Sequence, residues 1–114
     1  MPKRRQKLAP ASVEAIAQRL IVFRRAIGLT TIQICHRLGA SPTGSTWTNY
    51  EMAIRRISLD HALRLRDEFG LTLEWIYCGE EFARIEPDMK AKLLEHGGNP
   101  LPVFVTSKRD GLRL

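Results

Sequence analysis

Leu29-Thr30-Thr31-Ile32-Gln33-Ile34-Cys35-His36-Arg37-Leu38-Gly39 opens a stretch that, after Ala40–Thr46, closes on Trp47-Thr48-Asn49-Tyr50-Glu51. Thr30 and Gln33 have the spacing of a capping box, in which each side chain accepts a hydrogen bond from the other residue's backbone N–H. Ile34 and Leu38 then share one helical face, and Gly39 supplies the residue that can turn left-handed and end the helix. Trp47, Tyr50 and Ile54 recur at steps of three and four. That spacing predicts a second short helix with these three facing inward and Thr48 and Asn49 on the other side. The stretch therefore reads as two short helices joined by a glycine turn.

The same signals extend outward in both directions. Ser12 is a good N-cap and Glu14 lies in the first turn, where a carboxylate complements the helix dipole. Val13, Ile16, Leu20, Phe23 and Ile27 then mark an amphipathic helix that stops at Gly28, with Gln18, Arg19, Arg24 and Arg25 on its outer face. Downstream, Ser58 caps a helix with Leu59, Ala62, Leu63 and Phe69 facing in and Gly70 at its end. Thr72 caps a short helix over Leu73–Cys78, closed by Gly79. Pro87 opens a further helix through Met89, Leu93 and Leu94 to His96. Leu101–Thr106 reads as a strand, and Arg109-Asp110-Gly111 as a turn into a second short strand at Leu112–Leu114. An isolated hairpin is marginally stable, so this tail is expected to pack on the helices or on a second subunit.

With 114 residues, 44% apolar and 26% charged, the chain has the composition of one ordinary globular domain. No apolar run approaches the roughly 18 residues of a membrane span, and the basic N-terminus lacks the apolar centre of a signal peptide. A cytoplasmic location with no membrane association is expected. Cys35 and Cys78 have no metal-like spacing and are expected to be reduced, buried thiols. His36, His61 and His96 are scattered, and no nucleophile motif or phosphate loop occurs. No enzymatic activity, cofactor or metal is expected.

Charge is distributed unevenly. The net +6 divides into +6 over residues 1–28, +2 over 29–57, −4 over 58–95 and +2 over 96–114. A basic front half followed by an acidic segment suits a protein that turns one face to a polyanion. Residues 1–11 read as a basic mobile arm, 12–79 as a helical domain, and 80–114 as an extension with a C-terminal helix and a short β segment.

Several landmarks fall together in register: Leu29-Thr30, Leu38-Gly39, Trp47-x-Asn49-Tyr50-Glu51, Arg55-Arg56-Ile57, Ala62-x-x-Leu65, and Phe69-Gly70-x-Thr72-Leu73-x-Trp75-Ile76-Tyr77-x-Gly79. This series resembles the phage-repressor-like, XRE-type and Cro-type helix-turn-helix regulators over roughly Leu20 to Gly79. The resemblance implies an all-α, lambda-repressor-like five-helix domain whose second and third helices form the helix-turn-helix. It also implies a homodimer on double-stranded DNA.

The residues agree with a reading helix in the major groove. Thr43, Ser45, Thr46, Thr48 and Asn49 are short and polar; Asn can make two hydrogen bonds to adenine, and Thr offers a hydroxyl or a methyl to a base edge. Thr31, in the first turn of the second helix, matches the position where the family places a phosphate contact, and Arg55 and Arg56 match positions near the DNA backbone. Either arginine could instead pair with an acid such as Asp60. In the arm, Lys3, Arg4, Arg5 and Lys7 could reach a minor groove or wrap the duplex.

Three departures from that family stand out. Ala40–Thr46 is two residues longer than usual, which leaves two readings open. In one, Ser41 caps the third helix and Pro42 begins it; in the other, the preferred one, Ser41-Pro42-Thr43-Gly44 is a type I turn and Ser45 becomes the cap. Ala53 stands where the family often has glycine, so the third helix is expected to run on toward Ile54. Cys35 replaces a usual alanine in the angle between the helices. The alternative to a sequence-specific transcriptional regulator is a protein-interaction module, such as an antitoxin, anti-repressor or adaptor. It would use the acidic segment or the C-terminal extension on a protein partner.

Overall fold

In the computed structural model, which describes residues 8–97, five of the six α-helices begin and end on the local signals that the sequence carries. The order is α1 (Val13–Ile27), α2 (Thr31–Leu38), α3 (Ser45–Glu51), α4 (Leu59–Phe69), α5 (Leu73–Cys78), a single 3₁₀ turn at Phe82–Arg84, and α6 (Pro87–Glu95). Among the described residues the architecture is all-α. The expected strands at Leu101–Thr106 and Leu112–Leu114 lie outside the described residues.

Capping accounts for the starts. Ser12, Thr30, Ser58 and Thr72 each accept a hydrogen bond from the backbone N–H three residues on, at 3.1, 3.1, 3.2 and 3.1 Å. The Thr30 box is reciprocal, with the Gln33 side chain accepting from the Thr30 N–H at 2.9 Å. These bonds satisfy donors that a helix start otherwise leaves without partners, each worth roughly 1 kcal/mol.

α1 is the central element, packing against α3, α5 and α6, while α2 packs on α3 and α4. Its inward stripe of Ile16, Leu20 and Phe23 meets Ile34, Leu38, Trp47, Leu65, Trp75 and Ile76 in one buried cluster, closed at the α6 side by Ile85, Met89 and Leu93. Cys35 is fully buried in this cluster, whereas Cys78, expected to be buried, is half-buried at the end of α5. Both are free thiols.

Two expected faces are revised. In α4 the inward stripe is Ala62, Leu65 and the half-buried Phe69; Leu59, at the first helical position and to the side of that stripe, is 57% exposed. Leu63 lies further round the helix and is half-buried. In α1, Arg19 does not belong to a solvated outer face: it is only 7% exposed. Its Nε donates to the Ile76 carbonyl at 3.1 Å, and its Nη2 donates to the Pro10 carbonyl. A cation is favourable here because Ile76 lies in the last turn of α5, where the unpaired carbonyls and the dipole present partial negative charge. Burial lowers the Arg19 guanidinium to about 10, with the nearby Cys78 sulfur acting in the opposite direction.

Arg19→Ala should destabilise the protein by about 2 kcal/mol, because it leaves the buried Ile76 carbonyl without its donor. Urea denaturation is the measurement, and a stability equal to that of the unaltered chain would show that water replaces the guanidinium without cost.

Candidate nucleic-acid interface

α2 ends in a left-handed Gly39, with Ala40 N–H bonded to the Cys35 carbonyl at 2.8 Å and Gly39 N–H to the His36 carbonyl at 3.1 Å. This pair of bonds is the Schellman arrangement, which turns the chain sharply away from the helix axis. The next turn, Ser41–Gly44, is closed by Gly44 N–H on the Ser41 carbonyl at 3.2 Å. Ala40–Gly44 therefore belongs to the connection and α3 begins only at Ser45, in line with the reading of Ser41–Gly44 as a turn.

The cap of α3 differs from expectation. Gly44, at φ +82°, occupies the N-cap position without a side-chain cap bond, and Ser45 is the first helical residue. Close approach is the reason: a Cβ on Gly44 would lie 3.0 Å from Thr31 Oγ1 and 3.2 Å from both Ile32 N and Ile32 Cγ1. Only glycine tolerates this backbone angle and this proximity together, so the helix boundary falls on it. The hydroxyls beside it close a small ring, with Ser41 Oγ to Thr43 Oγ1 at 2.8 Å and Ser45 Oγ at 3.2 Å from each. Such mutual hydrogen bonds order an exposed loop that has no apolar anchor of its own.

The buried side of α3 carries Trp47, Tyr50 and Glu51. Trp47 packs against Phe23 and Tyr50, with ring centroids 6.3 and 5.9 Å apart. Its indole Nε1 donates to Glu51 Oε2 at 2.6 Å. The same carboxylate accepts both arms of Arg24, at 2.5 and 3.2 Å, while Arg24 Nη1 donates to the Leu29 carbonyl at 3.2 Å. Arg24, expected on an outer face, is thus half-buried and ties α1 to α3 and to the α1–α2 connection.

The opposite side of α3 presents Ser45, Thr46, Thr48 and Asn49, with Ser45 exposed and the other three half-buried. No hydrogen bond between described residues uses the side chains of Thr46, Thr48 or Asn49, so their polar groups have no partner among those residues. Thr31 borders them across Gly44, and Thr43 is exposed on the turn. Thr31 at the start of α2 thus lies against Gly44 at the entry of α3, with Thr43 on the turn before it and Ser45, Thr46, Thr48 and Asn49 along the side of α3 opposite Trp47.

α3 stops at Glu51, earlier than expected. Ala53 takes a left-handed φ of 60°, with Ala53 N–H on the Tyr50 carbonyl at 3.2 Å and Ile54 N–H on the Asn49 carbonyl at 2.9 Å. This is again the Schellman pattern, formed here on an alanine at a cost of about 1–2 kcal/mol. Ile54 consequently leaves the inward stripe and is 63% exposed, beside Met52 at 66%. Arg55 and Arg56 follow on the exposed surface. Arg56 Nη2 donates to the Ala11 carbonyl at 2.8 Å, and no ion pair between described residues joins it to Asp60. Arg55 makes no side-chain hydrogen bond or ion pair among the described residues. Lys3, Arg4 and Arg5 lie outside the described residues.

Tyr50 supplies a contact that periodicity did not single out. Its hydroxyl accepts from the Ser58 N–H at 3.4 Å and lies 2.7 Å from His61 Nδ1, to which it donates when that nitrogen carries no proton. Burial lowers the His61 pKa, with Asp60 opposing and Arg64 adding to the shift. Tyr77 completes the corner, donating to the Ile57 carbonyl at 2.8 Å, and burial raises its pKa with a further contribution from Tyr50.

No family model matches the chain, and no curated protein or solved structure matches it. No helix of the described residues is long and apolar enough to cross a membrane. No group of three metal-binding side chains occurs among them.

Two left-handed positions bracket α3, and they should respond oppositely to substitution. Ala53→Gly should stabilise the protein by about 1 kcal/mol, and Gly44→Ala should destabilise it by about 1–3 kcal/mol. Urea midpoints check both, and a loss of stability in Ala53→Gly would contradict the assigned strain. The His61 contribution has a defined sign: a folded-state pKa below the unfolded value stabilises above about pH 6.5 and fades as pH falls through the folded value. Stability should therefore drop from pH 7.5 to pH 5 by more in the unaltered protein than in His61→Gln; parallel profiles would refute the contribution.

Proposed function

We propose that the protein is a sequence-specific DNA-binding regulator in which α2 and α3 act as a helix-turn-helix and α3 reads the major groove. The observation that carries this reading is the division of α3. One side is locked into the core by Trp47, Tyr50 and Glu51, and the other holds Thr46, Thr48 and Asn49, whose polar groups have no hydrogen-bond partner among the described residues. A rigid helix with hydrogen-bonding side chains free on one side is what base-edge recognition requires. The family resemblance of Leu20–Gly79 supports the same reading, with the lambda-repressor-like arrangement as its framework.

Within it, Thr46, Thr48 and Asn49 face base edges, and Thr43 and Ser45 lie at the leading edge. Thr31 at the start of α2 and Arg55 after α3 contact phosphates. Arg55 takes that role over Arg56 because the Arg56 guanidinium already holds the Ala11 carbonyl. Lys3, Arg4 and Arg5 add charge to the same polyanion. The exposed Met52, Ile54 and Leu59 suit a homodimer contact. They equally favour the second reading, a protein-interaction module that keeps the fold and binds a protein partner.

A binding selection from random DNA at two salt concentrations tests the proposal. Enrichment of one sequence, with affinity falling steeply as salt rises, is the expected result. Asn49→Ala should relax preference at one or two positions, each worth about 1–3 kcal/mol. Arg55→Ala should weaken all sequences alike and reduce the salt slope by about 0.9. Failure to bind any DNA at low salt would replace this reading with the protein-interaction module.

A further inference from the structure

Five large apolar side chains are exposed among the described residues, and four of them lie away from the start of α3: Met52 and Ile54 after that helix, Leu59 in the first turn of α4, and Leu94 in α6. Ile32 is the fifth. It is the second residue of α2 and is 54% exposed. Its Cγ1, together with Thr31 Oγ1, borders the space where a Cβ on Gly44 would stand. Gly44 is the N-cap of α3, so this apolar group adjoins the end of α3 that carries Ser45 and Thr46. Ile34, Cys35 and Leu38 supply the buried stripe of α2, and Ile32 has no part in it.

No contact within the core accounts for an isoleucine at this position, and its β-branch slightly lowers helix propensity. The branch has another consequence. In a helix it holds χ1 almost entirely in one rotamer, so the exposed methyl groups keep a fixed position beside Gly44. In a helix-turn-helix the N-terminal residues of the second helix lie at base edges in the major groove, where thymine presents its C5-methyl group. We infer that Ile32 is a specificity-determining residue whose side chain packs on a thymine C5-methyl at the edge of the recognised sequence that the start of α3 faces. The inference rests on the DNA-binding reading and adds to it an apolar element supplied by α2, beside the hydrogen-bonding side chains of α3. Ile32 selects thymine over cytosine, which lacks the methyl and presents an amino group that an apolar side chain leaves without a partner.

Deleting single methyl groups from the DNA tests this. The full chain and its Ile32→Ala variant are titrated with the duplex recovered by selection, and with duplexes in which each thymine in turn is replaced by deoxyuridine, which removes only the C5-methyl. The unaltered protein should lose about fourfold in affinity at one thymine position, the scale of one buried methyl group. Ile32→Ala should bind the thymine duplex about fourfold more weakly and lose nothing further when that methyl is removed. Each protein is compared with itself on two duplexes, so any change in the stability of Ile32→Ala cancels. If every deoxyuridine substitution affects both proteins by the same factor, the inference is overturned and the DNA-binding reading stands; Ile32 then supports the Gly44 turn alone. Absence of binding by the unaltered protein to any DNA at low salt overturns both.

Discussion

The Glu51 carboxylate is the point on which the arrangement of α1, α2 and α3 depends. It receives two hydrogen bonds from Arg24 and one from the Trp47 indole, while Arg24 also holds the Leu29 carbonyl. One acidic group therefore joins the central helix, the entry to α2 and the seven-residue α3. A helix of that length has little stability of its own, so its position must come from tertiary contacts. The Arg24 and Glu51 side chains retain only 23% and 13% exposure, which places the pair far from the weak regime of surface salt bridges. Removing either partner would leave a poorly solvated charge, a situation that typically costs about 3–5 kcal/mol.

Both ends of α3 carry left-handed backbone. Gly44 enters it where the connection passes against Thr31 and Ile32, and Ala53 leaves it where the chain turns toward α4. The first is accommodated by the absence of a side chain; the second is strained. Strain at the exit has a consequence for shape, because it directs Met52, Ile54, Arg55 and Arg56 outward immediately after the last buried turn. A continuous helix through Ile54 would have buried that side chain and carried the arginines to other positions.

Net charge overstates the cation surface that the protein offers a partner. Arg19 and Arg24 count toward the basic front half, yet the first is buried against carbonyls and the second neutralised by Glu51. Arg37 is paired with Glu68 at 2.5 Å. In the described part of α2 and α3 and the segment after them, Arg55 is the cation without such engagement. Arg25, Arg55 and Arg56 stay exposed and form no ion pair among the described residues, so in the proposed reading the field toward DNA from residues 8–57 comes from these three rather than from every basic side chain of the front half.

Helix starts and stops outside α3 were legible from sequence alone, because capping and glycine turns are local chemistry: Ser12, Thr30, Ser58, Thr72 and the glycines after α1, α2, α4 and α5 act on neighbours within a few residues. The apolar stripes of α1 and α2 were legible for the same reason, since helical period needs no knowledge of the partner. The polar side of α3 also followed from spacing. What only the tertiary structure decided are the contacts between residues distant in the chain. Arg19 and Arg24 left the solvated face for carbonyl and carboxylate partners that α5 and α3 bring to them. Gly44 displaced Ser45 as the cap because of its proximity to α2. Ala53 went left-handed, and Ile54 outward, because the chain must reach α4. Arg56 found Ala11 instead of Asp60. Side-chain period and capping are properties of a segment, whereas the destination of a long charged side chain or the tightness of a turn depends on what folds against it.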